Sequence, residues 1–202
     1  MSEVSSAAFF ELVAGRSGHF RMESGYHSDR WLDLDTLFTE PLRVPPFVDH
    51  LVTLLRPLAV DAICGPLLGG AFLAQWVARE LETDFWYTAP VRSTAEGLFT
   101  VRYALPGTLV RRASGRRVAM VDDVMSAGSS LRATHTELQA RGAEPVAAGA
   151  LLVLGTIGEQ YFTEHRLPVL AAARSDFNSW SPEDCPHCAD GVVLERVATT
   201  AL

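Results

Sequence analysis

Two adjacent carboxylates run into a short stretch of small, hydroxyl-bearing residues in Val-Ala-Met-Val-Asp-Asp-Val-Met-Ser-Ala-Gly-Ser-Ser, residues 118–130, the most chemically specific part of the sequence. Ser126, Ala127, Gly128, Ser129 and Ser130 are small enough for backbone N–H groups to close on a phosphate, and a helix beginning there would add its positive end. Asp122 and Asp123 would repel that anion, so they need another partner. Vicinal ribose hydroxyls can donate to them, and positive charge developing at the anomeric carbon would be stabilised by theirs. One motif thus suits both halves of a ribose 5-phosphate. The plainer alternative is an Asp pair closing a strand and Ser-Gly-Ser opening an ordinary helix. Either half alone would be weak; the combination is specific.

Residues 65–70, Gly-Pro-Leu-Leu-Gly-Gly, read as a second loop rich in Gly and Pro. Cys185 and Cys188 with His187 between them invite a zinc reading, yet a lone Cys-x-x-Cys lacks its second pair unless a dimer supplies it, so a turn is expected. His19 and His27 stand among aromatic residues and are read as packed, hydrogen-bonded rings, with ligand binding or proton relay as the alternative.

These residues need a scaffold. Residues 46–56 place Phe47, His50, Leu51, Leu54 and Leu55 on one helical face, stopped by Pro57. A strand is expected over 60–64, a loop over 65–70, a helix over 71–81 with Phe72, Trp76 and Val77 inward, and a strand over 84–89. Residues 94–107 read as a loop or excursion hairpin ending at Pro106-Gly107. Then come a strand over 118–121, a helix over 130–141 closed by Gly142, and strands over 146–154 and 169–173. Short apolar strands alternating with helices describe an α/β fold: a central, mostly parallel sheet with helices on both faces. The ends of its strands are where ligands bind.

Composition excludes several chemistries. All seventeen basic residues are Arg, so a Walker A lysine and Schiff-base catalysis are ruled out. A net charge of −7 argues against non-specific nucleic-acid binding, since neutralising phosphates needs a basic face. No apolar run reaches the roughly 20 residues of a membrane span, and no secretory pattern opens the chain. Three cysteines are an odd count that suits a reducing compartment, and the expected location is cytoplasmic.

The stretch at 118–130 resembles the phosphoribosyl-pyrophosphate signature of type I phosphoribosyltransferases, and the chain is most similar to the orotate branch. Residues 18–29 (GHFRMESGYHSD) resemble that family's N-terminal hood over the base, 65–70 its pyrophosphate loop, 92–107 its mobile catalytic loop, and 181–194 the tail of one bacterial branch. The resemblance implies one domain over 1–202, with a hood at about 1–40, a core at about 41–175 and a tail at 176–202. It implies Mg²⁺-dependent attack of a base nitrogen, with orotate expected, on the anomeric carbon of phosphoribosyl pyrophosphate in a homodimer. Asp122, Asp123, Arg92 and Arg102 are then the catalytic set. Asp122, Asp123, Ser126, Ala127, Gly128, Ser129, Ser130, Leu68, Gly69 and Gly70 bind the diphosphate, and Ser24, Gly25, Tyr26, His27 and Ser28 line the base. The metal arrives with the diphosphate, water-bridged to Asp122 or Asp123 rather than ligated directly.

The chain departs from that pattern at Glu23, at Tyr26 where Arg is common, in lacking Lys, and at Leu154-Gly155, where relatives commonly carry an Asp-Arg pair whose Arg holds the orotate carboxylate. Arg30 and Arg174 are the replacements visible in the sequence. Another base, or a non-catalytic regulator that binds the diphosphate, are the alternatives.

Overall fold

The computed structural model describes residues 5–34, 36–92 and 97–196. Six strands form the main sheet in the order β5-β4-β3-β6-β7-β8: β3 (Ala62–Pro66), β4 (Asp84–Val91), β5 (Arg102–Ala104), β6 (Arg117–Met125), β7 (Glu144–Leu154) and β8 (Val169–Ser175). All neighbours are parallel except the β4–β5 hairpin. The expected α/β class is borne out.

Helices α2 (Pro45–Leu55) and α3 (Gly69–Leu81) bury Phe47, Leu51, Leu55, Leu73 and Val77 with Ile63, Ala119, Val121 and Leu151 on one face. Helices α5 (Ser129–Ala140) and α6 (Ile157–Glu164) cover the other with Leu131, Leu138 and Phe162 against Ala62, Cys64 and Met120. Alternate strand residues therefore feed two cores, which is why the strands read as continuous apolar runs. Among the described residues, no helix is long and apolar enough to cross a membrane.

Strand β6 runs four residues past the expected end at 121, because the long β7 continues to pair with it through Asp122↔Ala150, Val124↔Leu152 and Met125↔Val153. Phe72 is not inward as the helical period suggested: it is 47% exposed and meets the Phe38 ring, while Leu73 and Ala74 take the core positions. Helix α5 ends as expected, with Gly142 in the left-handed region at φ 77°.

The N-terminal part adds α1 (Ser6–Phe10) and an antiparallel pair, β1 (Ala14–Arg21) and β2 (His27–Asp33). The tail returns to this small sheet: β9 (Glu195–Arg196) pairs parallel with β1, and Trp180 exchanges backbone hydrogen bonds with His27. Two further short helices, α4 (Gly107–Val110) and α7 (Pro186–Ala189), lie in connections.

Candidate functional site

The chain leaves β3 toward β4 on one side and later returns to place β6 on the other, so the sheet order reverses between β3 and β6. The carboxyl ends of two such strands diverge into a crevice, the usual ligand position in an open α/β sheet. Asp122 and Asp123 sit at that end of β6, 6% and 9% exposed.

The β3–α3 turn closes the other wall. A Cβ on Gly65 would fall 1.9 Å from the Gly70 carbonyl oxygen, so this turn exists only with glycine. Gly69 and Gly70 then lie directly against the carboxylates: a Cβ on Gly69 would come within 2.0 Å of Asp123 Oδ2, and one on Gly70 within 2.7 Å of Asp122 Oδ1. The peptide between Leu67 and Leu68 is cis. The first amides of α3 have no acceptor within the helix, and Gly69 and Gly70 stand beside the acids.

Beyond the acids, Ser126 to Ser130 lead into α5, with Gly128 at φ 75° as its N-cap. Ala127 and Ser129 are buried, and Gly158 at the start of α6 donates to the Ser126 carbonyl, holding the loop from behind. The Ser130 hydroxyl donates to Asp122 Oδ2 at 2.5 Å, which assigns it to the acidic half in this conformation. The Val124 amide donates to Asp123 Oδ1 at 2.7 Å. Burial, then the charge of Asp123, raises the Asp122 pKa well above the ordinary carboxylate range, against the pull of the Ser130 hydrogen bond. The crevice holds more negative charge than its solvent supports.

The β4–β5 hairpin brings in a group the sequence did not announce. Tyr103 donates to Glu23 Oε1 at 3.3 Å, and burial followed by the charges of Glu23, Asp122 and Asp123 keeps its phenol protonated. Although Glu23 keeps some solvent contact, desolvation of its carboxyl raises its pKa, against the pull of that hydrogen bond. Arg92 and Arg102 stand at the exposed lip of the same hairpin, Arg102 paired with Val91 and lining a shallow cleft with Glu23 and Tyr103. Residues 93–96 of the expected mobile segment lie outside the described residues.

Of the expected base-lining residues, Ser24, Gly25 and Tyr26 form a turn against the hairpin: the Phe99 amide donates to the Ser24 carbonyl, and the Tyr26 and Phe99 rings lie 5.7 Å apart. Ser28 is buried in β2, its hydroxyl accepting from the Arg30 amide. His27 faces elsewhere, its Nδ1 lying 3.1 Å from His19 Nε2 and 3.3 Å from Cys188 Sγ. The Cys-x-x-Cys turn therefore has the second pair that sequence spacing could not supply, and it comes from the same chain: His19, His27, Cys185 and Cys188 present ligand atoms all within 4.8 Å of one another.

The cation near the hood is also one that sequence reading missed. Arg174 is taken by Glu159, and Arg30 is exposed on β2. Arg132, one turn into α5, instead places its guanidinium 3.9 Å from the Phe99 ring centroid and 4.5 Å from that of Tyr161, donating to the Ile157 carbonyl at 2.7 Å. It forms no ion pair with a described carboxylate, and its buried Nε has no partner among the described residues. Burial lowers its pKa, opposed by Tyr161, Tyr26 and Glu164. A basic residue at this helix position reads as solvated unless the rings of two distant segments are known to close over it.

No protein-family model matches the chain. It is 34% identical over 176 residues to the orotate phosphoribosyltransferase of Heliobacterium modesticaldum, covering 86% of this chain and 85% of that protein. Among solved structures it resembles the orotate phosphoribosyltransferase of Aeropyrum pernix, with TM-score 0.62, 22% identity, and 81% and 88% of the two chains covered. The adenine phosphoribosyltransferase of Trypanosoma brucei, in complex with AMP, pyrophosphate and ribose 5-phosphate, aligns equally well, with TM-score 0.63, 19% identity, and 83% and 78% covered.

Proposed function

Because this chain belongs to the type I phosphoribosyltransferase family, we propose that its nucleobase is orotate, which it joins to the ribose 5-phosphate of phosphoribosyl pyrophosphate with release of pyrophosphate. The observation that carries the choice of base is Arg132, a half-buried guanidinium without an ion-pair partner among the described residues, set where hood, hairpin and α6 meet. A half-buried cation that lacks a directly paired carboxylate gains from one, and a carboxylated pyrimidine supplies it. Its hold on the Ile157 carbonyl puts it beside the β7–α6 connection, the segment where relatives carry their carboxylate-binding Arg.

The remaining residues divide the sugar diphosphate among them. Amides of Ser126 to Ser130 at the start of α5 receive the 5-phosphate, and Asp122 and Asp123 accept from the ribose 2- and 3-hydroxyls. Amides from Leu68 to Gly70 face the departing pyrophosphate. As the bond from the anomeric carbon to pyrophosphate loosens, the two carboxylates stabilise positive charge on the ribose, and the orotate ring nitrogen attacks that carbon. Arg92 and Arg102 contribute positive charge as the hairpin covers the crevice, while Tyr103 offers a neutral donor.

The acidic crevice also fits a divalent cation, because the like charges of Asp122 and Asp123 are pressed together in a buried place. Mg²⁺, held through water by Asp122 or Asp123, would neutralise charge on the leaving pyrophosphate. The reading includes a homodimer acting in the cytoplasm, as the family resemblance implies.

The test compares wild type with Arg132→Gln. A hydrogen bond to a charged group contributes about 1.5–3 kcal/mol, so kcat/KM for orotate should fall roughly 10- to 150-fold. The KM for phosphoribosyl pyrophosphate, and competitive binding of uracil, the same ring without the carboxylate, should hold. Equal losses for uracil and orotate would remove Arg132 from the carboxylate.

A further inference from the structure

The structure assigns a second, independent function to the hood and tail: we propose that His19, His27, Cys185 and Cys188 bind one Zn²⁺ in a closed, structural site. The four ligand atoms lie within 4.8 Å of one another, close to the spacing one tetrahedral ion needs. Zn–N bonds of about 2.0–2.1 Å and Zn–S bonds of about 2.3 Å require N···N, N···S and S···S edges of about 3.3–3.8 Å around one ion. Four of the six edges are 3.1 Å from His19 Nε2 to His27 Nδ1, 3.4 and 3.7 Å from His19 Nε2 to Cys185 and Cys188 Sγ, and 3.3 Å from His27 Nδ1 to Cys188 Sγ, and the other two are no longer than 4.8 Å.

Hydrogen bonding alone does not account for this convergence. His19 Nδ1 lies 2.9 Å from the Val192 carbonyl oxygen, which can only accept, so Nδ1 carries the proton and Nε2 is a lone pair. Three atoms approach that single lone pair, which can take a proton from only one. A cation at the centre satisfies all four ligands, and the Val192 carbonyl orients His19 as an outer partner does for a metal-bound histidine. Two sulfurs and two imidazoles with no open position suit structural Zn²⁺ rather than a catalytic metal.

The local structure is built to present these ligands. The β1–β2 register shifts between Ser17 and Phe20, and such a bulge re-aims a side chain: His19 turns under the tail while Phe20 packs against Trp31. Cys185 and Cys188 are brought together by the single turn of α7. Around them the tail offers little apolar burial of its own, and β9 is only two residues long. A metal cross-link replaces the core this segment lacks. It also brackets the turn bearing Ser24, Gly25 and Tyr26, which lies between the two histidine ligands, so it would steady the hood whichever base is used.

The full-length chain, purified under reducing conditions without a metal-binding tag and dialysed against Mg²⁺ buffer, should contain about one Zn²⁺ per chain by elemental analysis. Metal-free protein titrated with Co²⁺ should show thiolate-to-cobalt charge-transfer and tetrahedral d–d absorption, abolished by added Zn²⁺. Cys185→Ser with Cys188→Ser should lose both signals, whereas Cys64→Ser, buried in the sheet, should keep them. Chelation should expose the tail to protease before the core. Reduced wild type that neither retains Zn²⁺ nor gives the Co²⁺ bands would overturn the proposal, as would bands that persist in the double variant.

Discussion

Replacing Gly69 by Ala tests the crevice without touching a polar group. The new methyl would lie 2.0 Å from Asp123 Oδ2 and 2.8 Å from Asp123 Cγ, whereas real contacts of this kind do not close below 3.0 Å. The carboxylate must therefore retreat by about 1 Å, which the end of a side chain can do by turning about its own bonds. Folding loses little by that movement, and Ala is the better helix former at the start of α3. Catalysis loses more: displacing a positioned group by about 1 Å costs roughly 100-fold, or about 2.7 kcal/mol of transition-state stabilisation. Steady-state pyrophosphate release should show that fall in kcat/KM for phosphoribosyl pyrophosphate, with the melting temperature unchanged. Gly107→Ala, where an added Cβ meets nothing within 4 Å, is the matched control and should be silent. Gly70 is the poorer probe, since its Cβ also strikes the Pro66 ring at 2.6 Å. Wild-type kcat/KM in Gly69→Ala, or activity and melting temperature falling together, would refute the placement of Asp123 against this glycine as a functional contact.

Other consequences follow from the charge balance. Asp122→Asn should abolish turnover yet raise stability at pH 7, because the folded state raises the Asp122 pKa and wild type therefore loses stability as pH climbs past the ordinary carboxylate value. The gap should close toward the acid limit, where both side chains are neutral; a variant less stable than wild type at pH 7 in chemical denaturation would contradict it. His135 is pushed down to about 4 by burial and then by His165, so the unfolded chain takes up a proton between about pH 6.5 and 4 that the native state refuses. Stability should fall with pH through that window at a limiting slope of about 1.4 kcal/mol per pH unit, and His135→Gln, which can keep a partner in Tyr161, should flatten it.

The parallel sheet was legible because its strands are buried on both faces and its helices carry an apolar stripe. The phosphate loop was legible because its chemistry is local, contained in nine residues from Asp122 to Ser130. What escaped was either half-exposed or assembled from afar. Strand β1 shows mostly exposed residues before His19 and Phe20, so no alternation marks it, and α6 buries only Gly158 and Phe162 along eight residues. Arg132 acquires meaning only when Phe99 and Tyr161 close on it, and the Cys-x-x-Cys turn only when β1 and β2 supply two histidines more than 150 residues away. Tyr103 meets Glu23 and feels the charge of Asp122 and Asp123 only because residues distant in sequence fold together.

The most direct measurement offers orotate, adenine, guanine and uracil singly, with phosphoribosyl pyrophosphate and Mg²⁺, and follows pyrophosphate release with mass identification of the nucleotide. The account predicts turnover with orotate and formation of orotidine monophosphate. Turnover with a purine but not orotate, or tight binding of the diphosphate without turnover on any base, would contradict it.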